Sequence, residues 1–270
     1  MKITKTMSKK AYAKVNIFLK IAGRRENYHE IVSRFVRVSS LYDTVTIVPQ
    51  NETNAFNLIG DFSCKLEQNT IYKAFLELRK NCPKIDAFFR VYSVKVDKNI
   101  PEFAGLGGGS SDAAAFLLLA NELFDLYYSK EKLAKIGEKI GADIPFFIYE
   151  YTSANVTGIG EKVEEFKEEP LDIEVFTPDV QCDTKAVFTE FRKNFYKEIS
   201  QDEATKLLQM KSIDILKSLS PQEANDLYTP ALKLYSNLST ITQQPTSTLH
   251  SKLSTYHFSG SGSSFFKVKQ

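Results

Sequence analysis

Alternation of apolar and polar residues along the chain predicts several strands of a half-buried sheet. Between residues 11 and 21 every second side chain is apolar, and the opposite face carries Lys14 and Asn16 beside two aromatic residues. A lysine on a strand is usually exposed to solvent, so the position of Lys14 alone indicates no function. Comparable stretches predict further strands at 41–48, 89–96, 171–177 and after the last glycines of the chain.

Apolar residues at spacings of three and four predict helices between these strands. Pro83 would follow the end of the first helix, Gly141 would close the third, and Pro230 would interrupt the last. Residues 243–248 are polar and predict a loop. The predicted helices cover 69–80, a stretch from 110 or 111 to about 127, 130–140, a stretch opening at 184, 202–219 and 221–238.

Length and composition favour two domains and a small-molecule partner. With 270 residues, of which 43% are hydrophobic, the chain can bury a large core. A formal net charge of +2 gives no general attraction to nucleic acid or membrane surfaces. The three cysteines form no Cys-x-x-Cys pair and indicate neither a disulfide framework nor a zinc site. Because we find neither a secretory signal nor an apolar run that could span a bilayer, we expect a cytoplasmic protein.

A glycine-rich loop before the second predicted helix is the strongest chemical signal in the sequence. It runs from Gly105 to Ser111, with four glycines in five positions, and residues 110–112 are types that cap a helix start. Free amides at a helix start attract anions, so the loop predicts a phosphate site. The sequence lacks the Gly-Lys-Ser/Thr of a P-loop and the spacing of a dinucleotide site. A flexible turn before a helix is the alternative.

Asp143 and the pair Tyr28-His29 are further candidates for catalysis or ligand binding. Asp143 lies between a predicted helix end and the apolar stretch 144–148, which predicts a strand. The helix dipole and desolvation both oppose the charge of Asp143 at this position. It therefore needs a cationic partner or a catalytic role, unless it is a turn aspartate bonded to its own backbone. Tyr28 and His29 lie at a turn, where an aromatic ring and an imidazole can hold a flat base. A histidine at a turn is otherwise commonly solvated.

Several motifs together resemble the GHMP kinases, the superfamily of galactokinase, homoserine kinase, mevalonate kinase and phosphomevalonate kinase. They are Lys14 and Asn16, the segment 101–114 and the terminal Ser-Gly-Ser-Gly at 259–262. Within the superfamily, the likeness is greatest to the branch that acts on a cytidine-diphosphate-linked methylerythritol. It covers most of the chain, is weakest over about 202–255, and is carried by Ala13-Lys14-Val15-Asn16, Tyr28-His29, the triple glycine before the serine pair, the Gly-Ala-Asp-Ile-Pro-Phe-Phe of 141–147 and the Gly-Ile-Gly-Glu of 158–161.

This resemblance implies a fold and a reaction. The fold would be α+β, with an N-terminal, ATP-binding domain (1–155) of the ribosomal-protein-S5-like type and a C-terminal, ferredoxin-like substrate domain (156–270). The active site would lie between these domains. The reaction would be ATP-dependent phosphorylation of the 2-hydroxyl of the methylerythritol moiety, in the non-mevalonate route to isoprenoid precursors. The enzyme would be a monomer or a weak homodimer.

The resemblance also implies roles for individual residues. Asp143 would be the catalytic base and Lys14 its partner, which keeps the carboxylate ionised. Asn16 would hold the substrate hydroxyl or a phosphate. The cytosine would bind Tyr28 and His29, with Thr184 and Phe188 completing the pocket.

The glycine loop would wrap the ATP triphosphate, with Asn69 and Lys98 near the nucleotide. We expect Mg²⁺ with ATP, bound mainly through phosphates and water, and we assign no protein ligand to it. The triphosphate residues would be Pro101, Glu102, Phe103, Ala104, Gly105, Leu106, Gly107, Gly108, Gly109, Ser110 and Ser111.

Two alternatives remain at the level of sequence. A GHMP kinase acting on mevalonate or homoserine would keep the glycine loop but would not need Tyr28 and His29 to hold a base. A nucleotide-binding regulator could keep the fold without turnover. Such a protein would have little use for Lys14 and Asp143.

Overall fold

The computed structural model describes residues 7–26, 28–51, 53, 55–238 and 256–269, and the predicted loop 243–248 lies outside these ranges. The described residues form a mixed α/β fold. Its strands are β1 Met7–Arg25, β2 Tyr28–Pro49, β3 Leu58–Ile59, β4 Tyr92–Asp97, β5 Ser153–Gly158, β6 Lys162–Glu165, β7 Ile173–Phe176, β8 His257–Phe258 and β9 Phe265–Val268. Its α-helices are α1 Thr70–Arg79, α2 Lys84–Phe88, α3 Gly108–Leu123, α4 Lys130–Gly137, α5 Ile144–Tyr149, α6 Thr184–Asn194, α7 Gln201–Gln209, α8 Ser212–Ser218, α9 Pro221–Ala224 and α10 Tyr228–Leu234.

The described chain divides into two compact units, and β1 and β2 contribute residues to both. The first unit takes its residues from 7–13, 41–100 and 108–150. The second takes them from 14–40, 101–107 and the described part of 151–270.

The first unit contains the second half of β2, the strands β3 and β4, and the helices α1 to α5. Thr44 to Pro49 of β2 pair antiparallel with β4, and β3 adds a short parallel pairing. Helix α3 packs against α1 and α5, and α4 packs against α5. The core is rich in aromatic rings, with Phe56 stacked on Phe75 at 4.4 Å between centroids. The start of α3, where the glycine loop ends, is bonded to the start of α1 through the Thr70 hydroxyl and the Gly109 carbonyl.

The second unit combines the first half of β2 with two groups of strands. Ile31 to Val36 of β2 pair antiparallel with β5, and β5 pairs antiparallel with β6. A separate three-stranded sheet has the order β7-β9-β8. Helices α6 to α10 belong to the same unit.

Most predicted elements are confirmed, with shifted ends. The strand predicted at 11–21 lies within β1, and the strand predicted at 171–177 contains β7. The helix predicted at 69–80 is α1, and Asn69 caps it by accepting a hydrogen bond from the Ile71 amide at 2.9 Å. The strand predicted at 41–48 is part of the longer β2. The strand predicted at 89–96 is β4, which begins at Tyr92, three residues later than predicted and after the short helix α2.

The prediction of a strand after Asp143 is wrong, because residues 144–149 form helix α5. This helix is buried over Ile144 to Ile148. A short apolar run that is buried on every side has no periodicity by which a helix could be told from a strand. Pro145 lies in its first turn, where its fixed φ suits a helix and its missing N–H costs nothing.

Four predicted helix boundaries are also wrong. The stretch 202–219 is two helices separated at Met210 and Lys211, both of which are extended. Pro230 does not interrupt a helix but lies in the first turn of α10, and the break falls at Asn225. Helix α4 ends at Gly137 rather than closing on Gly141. Helix α3 ends at Leu123 rather than near 127, because Asp125 and Tyr127 take left-handed φ angles of 49° and 53°.

Candidate active site

The glycine loop has two parts that belong to different units. Gly105 and Gly107 have φ angles of 73° and 72°, which favour glycine. Helix α3 begins at Gly108, so Ser110 and Ser111 lie inside its first turn, and the prediction that the helix opens at one of them is wrong. Gly108 and Gly109 need no left-handed angle and enter the helix directly. The first amides of α3 therefore include those of the glycines, and such amides have no partner within a helix.

Within the second unit, the loop is packed against the terminal glycine/serine segment. A Cβ on Gly105 would lie 2.2 Å from the carbonyl oxygen of Ser259, so only glycine fits here. The Ser259 hydroxyl donates to the Gly105 carbonyl at 3.0 Å, and the Ser264 amide donates to the Ala104 carbonyl at 3.1 Å. The loop thus has a fixed backbone support.

Lys14 is buried against this loop and is not an exposed strand lysine. Its side chain and backbone together are 4% exposed. The Nζ donates to the Asn16 Oδ1 at 2.7 Å and to the Gly105 carbonyl at 3.1 Å, and the backbone amide donates to the Leu106 carbonyl at 3.0 Å. The Lys14 ammonium also lies 4.6 Å from the centroid of the Phe35 ring. The structure therefore brings Lys14, Asn16, Gly105 and Leu106 together.

The Asn16 amide is buried and bonded on both sides. Its Oδ1 accepts from Lys14, and its Nδ2 donates to the Ser33 hydroxyl at 2.9 Å. Sequence analysis did not identify Ser33, since a serine inside an apolar strand carries no local signal of such a contact. The bond orients the Asn16 oxygen toward Lys14.

The first three loop residues, 101–103, are more open, whereas Ala104 is buried. Pro101 is exposed and Glu102 is half-buried. Phe103 is 51% exposed with a φ of 54°, and its carbonyl accepts from the Cys182 amide at 3.2 Å. Neither Pro101 nor the Phe103 ring takes part in the Lys14 cluster.

In the first unit, Lys98 lies beside the first turn of α3 and is bonded to two carboxylates. Its Nζ donates to Asp43 at 2.5 Å and to Asp112 at 2.8 Å. Burial lowers the pKa of the Lys98 ammonium, but the two carboxylates outweigh it and the pKa is raised. Burial raises the pKa of the Asp112 carboxyl against the attraction of Lys98. A Cβ on Gly108 would lie 3.6 Å from the Lys98 Nζ, so this cation is next to the loop glycines.

Asn69 and Asp143 also lie near the first turn of α3 in the first unit. Asn69 caps α1, and the hydroxyl of the next residue, Thr70, donates to the Gly109 carbonyl at 2.6 Å. Asp143 is half-buried in the N-cap position of α5 and makes no capping bond with its side chain. A Cβ on Gly141 would lie 3.6 Å from the Ser110 hydroxyl, which places the turn that carries Asp143 beside α3.

An aromatic cluster in the second unit contains His29 and Phe188, two of the four residues predicted to bind a base. The His29 ring stacks on Phe188 with centroids 5.2 Å apart and planes at 21°. Phe191 and Tyr196 lie at 5.8 and 6.2 Å from the same ring, and sequence analysis missed both because nothing local distinguishes them. Tyr28, by contrast, is 61% exposed.

The His29 imidazole is buried and has an unused polar atom. Within the described ranges, its Nε2 has no hydrogen-bond partner. Burial, followed by the charges of Arg192 and Arg24, lowers the pKa of His29, so the ring is neutral near pH 7. Thr184 begins α6, four residues before Phe188, and its hydroxyl shares a 2.8 Å hydrogen bond with the Ser261 hydroxyl. A neutral imidazole can donate or accept, as base recognition requires.

The part of the chain that the structure describes contains neither a membrane-spanning helix nor a cluster of metal-binding side chains. No described helix combines the length and the apolar character needed to cross a bilayer. No group of three or more histidine, cysteine, aspartate or glutamate side chains among the described residues is arranged to hold a metal ion.

Comparison with known proteins shows to which class of enzyme the fold belongs. Residues 69–151 match the family described as GHMP kinases N terminal domain. The crystal structure of a 4-(cytidine 5'-diphospho)-2C-methyl-D-erythritol kinase is similar at a TM-score of 0.75 and 29% identity, covering 98% of this chain and 90% of that one. A homoserine kinase from Cytophaga hutchinsonii shares the fold at a TM-score of 0.63 and 14% identity, covering 100% of this chain and 87% of that one. The fold and the glycine loop are those of a GHMP kinase.

Relatives with higher sequence identity than these structures show to which branch of the GHMP kinases the chain belongs. The 4-diphosphocytidyl-2-C-methyl-D-erythritol kinase of Sulfurimonas denitrificans is 54% identical, over 97% of this chain and 96% of the relative. The enzymes of the same name from Sulfurovum sp. and Campylobacter jejuni are 46% and 39% identical, each over 96% of this chain and over 98% and 99% of the relative. The chain belongs to the family of 4-diphosphocytidyl-2-C-methyl-D-erythritol kinases. The resemblance drawn from the motifs is confirmed, and the alternatives of another GHMP branch and of a regulator without turnover are wrong.

Proposed function

We propose that the chain transfers the γ-phosphoryl group of ATP to the 2-hydroxyl of 4-diphosphocytidyl-2-C-methyl-D-erythritol, giving ADP and the 2-phosphate. This step belongs to the non-mevalonate route to isoprenoid precursors. The observation that carries the proposal is the buried Lys14 ammonium, bonded to the carbonyl of Gly105 in the glycine loop. A buried cation on a phosphate-binding loop suits a reaction that depends on positioning and charge stabilisation.

The ATP triphosphate is bound by the glycine loop, residues 101–111. Helix α3 has 16 residues, and its first amides favour phosphate oxygens. Lys98, held by Asp43 and Asp112, lies beside Gly108, and Asn69 lies one residue from Thr70, which contacts Gly109.

Asp143 acts as the general base and Lys14 supports it. The Asp143 carboxylate takes the proton of the 2-hydroxyl while the substrate oxygen bonds to the γ-phosphorus. The bond from that phosphorus to the bridging oxygen breaks, and ADP leaves with the electron pair. The Lys14 ammonium favours the ionised carboxylate and the charge that develops on the transferred group. The bond from Asn16 holds this ammonium in place.

Mg²⁺ enters with ATP, bound mainly by phosphate oxygens and water. When bound, the ion neutralises phosphate charge.

The cytidine base is held by Tyr28, His29 and Phe188, with Thr184 at the pocket edge. The unused Nε2 of His29 is a buried polar atom that a base can satisfy. The exposed ring of Tyr28 is available to cover the base by stacking.

The finer architecture and setting of the enzyme are proposals as well. They comprise the S5-like domain of residues 1–155, the ferredoxin-like domain of residues 156–270, and an active site between those domains. A cytoplasmic location and a monomer or weak homodimer are predictions of the same kind.

ADP release with the cytidine substrate tests the catalytic roles. Asp143→Asn and Lys14→Met should lower kcat by about 10²- to 10⁴-fold, which is the usual contribution of a positioned base or charge. The control is Asp86→Asn, which changes an exposed carboxylate in α2 and should leave kcat unaltered. Equal rates for the wild type and Asp143→Asn would remove Asp143 from its role.

Steady-state kinetics with each substrate in turn test the base pocket. Tyr28→Ala or His29→Ala should raise KM for the cytidine substrate far more than KM for ATP, because only the former presents a base to these rings. If the KM values of both substrates rise alike, the assignment of the pocket is wrong.

A further inference from the structure

The turn between α9 and α10 carries a buried amide to which the proposed reaction gives no role. Asn225 is 2% exposed, and each polar atom of its side chain is bonded. The Nδ2 donates to the carbonyls of Phe258 and Gly260 at 3.0 and 2.9 Å, and the Oδ1 accepts from the Leu227 amide at 2.9 Å. The asparagine thus binds the backbone on either side of Ser259.

Ser259 and Gly260 are in turn packed on Gly105. The Ser259 hydroxyl donates to the Gly105 carbonyl at 3.0 Å and accepts from the backbone N–H of Asn16 at 3.4 Å. A Cβ on Gly260 would lie 3.1 Å from the same carbonyl oxygen, and the φ of Gly260 is 58°. Movement of this terminal segment would therefore move the Gly105 carbonyl.

That carbonyl is one of the acceptors that hold the Lys14 ammonium. A series of hydrogen bonds consequently connects the Asn225 side-chain amide, through the terminal segment, to the Lys14 Nζ. All residues in this series belong to the second unit.

The turn itself is fixed to the strand that carries Lys14. The Asp226 carboxylate accepts from the Ile21 amide at 2.8 Å and pairs with Lys20, and the Asp226 amide donates to the Leu19 carbonyl at 3.0 Å. The Asn225 amide is therefore rigid relative to β1, as a support for a functional group must be.

We infer that Asn225 is a positioning residue for catalysis: it holds the terminal glycine/serine segment so that the Gly105 carbonyl fixes the Lys14 ammonium. An apolar side chain of the same size could fill the space but could not donate to two carbonyls. The inference rests on the proposed role of Lys14 and adds a residue from the region where the family resemblance was weakest.

Asn225→Asp tests the inference with almost no change in shape. It removes both donors and places a carboxylate against two carbonyls. Displacing a reacting geometry by about 1 Å can cost about 100-fold, so kcat per folded molecule should fall by about 10- to 100-fold, with both KM values within about threefold. The control is Asn194→Asp, an exposed amide on α6, for which kcat should stay at the wild-type value.

The pH dependence of the same variant gives a second readout. A buried carboxyl has a raised pKa, and its protonated form regains one donor. The kcat of Asn225→Asp relative to the wild type should therefore recover as the pH is lowered from about 8 to about 6. A flat ratio over this range would contradict the inference.

If Asn225→Asp folds poorly, Ser259→Ala removes the next hydroxyl in the sequence of bonds and should show the same fall in kcat at nearly constant KM. A kcat per folded molecule equal to the wild type in either variant would overturn the inference. Lys14→Met, assayed in parallel, distinguishes a failure of the positioning role of Asn225 from a failure of the role proposed for Lys14. Loss of activity in Lys14→Met alone overturns only the positioning role, whereas full activity in Lys14→Met overturns the proposed role of Lys14 as well.

Discussion

At the scale of the residue, burial rather than residue type distinguishes the candidate functional side chains from ordinary ones. Lys14 belongs to a strand on which a lysine is ordinarily exposed, yet it is 4% exposed and bonded to Asn16 and Gly105. Removing a charge from water is costly unless hydrogen bonds replace the solvent. The structure meets that requirement with hydrogen bonds to one amide oxygen and one carbonyl.

Gly105→Ala should be strongly disruptive. The residue has a φ of 73°, and a Cβ would lie 2.2 Å from the Ser259 carbonyl oxygen. Left-handed strain and the clash together should cost at least about 2 kcal/mol of unfolding free energy, measured by denaturant titration, and kcat should fall.

Gly23→Ala is the matched control. Its Cβ would be no nearer than 3.4 Å to the Glu30 side chain, and the unfolding free energy should change by less than about 0.5 kcal/mol. Equal losses in the two variants would contradict the role given to the Gly105 backbone.

His257 should make stability depend on acid pH. Burial lowers its pKa to about 4 from 6.5, against a smaller opposing effect of the Leu216 backbone. Between these values the unfolded chain binds a proton that the folded chain does not, so stability is lost as the pH falls from 6.5 toward 4. His257→Phe should lose roughly 2 kcal/mol less than the wild type between pH 7 and pH 5 in denaturant titrations.

The difference between the two proteins should be constant above about pH 8, where neither the folded nor the unfolded state is protonated at this residue. Parallel acid losses in the two proteins would show that another group causes the dependence.

At the scale of elements, local pattern was a reliable guide where a helix or strand has one buried face and a clear stop. The helix predicted at 69–80 is confirmed because its apolar positions, Ile71, Ala74, Phe75 and Leu78, face the core. The pattern failed for α5, which is apolar throughout, and at Met210 and Asn225, where the helices end and hydrogen bonds join these residues to distant parts of the chain.

Asn69 allows the capping and nucleotide-binding roles to be separated. Asn69→Ala removes the acceptor for the Ile71 amide and should cost about 1 kcal/mol, whereas Asn69→Asp keeps the acceptor and should retain stability. If the amide contacts the nucleotide as proposed, both variants should raise KM for ATP.

Ser129→Ala, which removes the cap of α4, provides the control for this pair. It should lower the melting temperature without changing KM for ATP. An unchanged KM in both Asn69 variants would leave Asn69 with a capping role only.

At the scale of the whole molecule, ligand binding should appear as a gain in stability. A ligand that binds only the folded state stabilises it by about 2.7 kcal/mol at 100 times Kd. Cytidine diphosphate should therefore raise the melting temperature of the wild type, and Tyr28→Ala should abolish the shift. A non-hydrolysable ATP analogue should still stabilise Tyr28→Ala, because the glycine loop is intact. No shift with cytidine diphosphate in the wild type would contradict the base pocket.

The sequence by itself determined the class of enzyme, most strands and helices, and the residues of the glycine loop, because these depend on local periodicity and on motifs a few residues long. Tertiary structure alone decided that Lys14 is buried, that residues 144–149 are helical, and that Asn225 supports the terminal segment. The bonds responsible join residues far apart in the chain: Lys14 and Gly105 are separated by 91 positions, and Asn16 and Ser259 by 243. Burial and such partners arise only when the chain is packed, so no short stretch of sequence contains them.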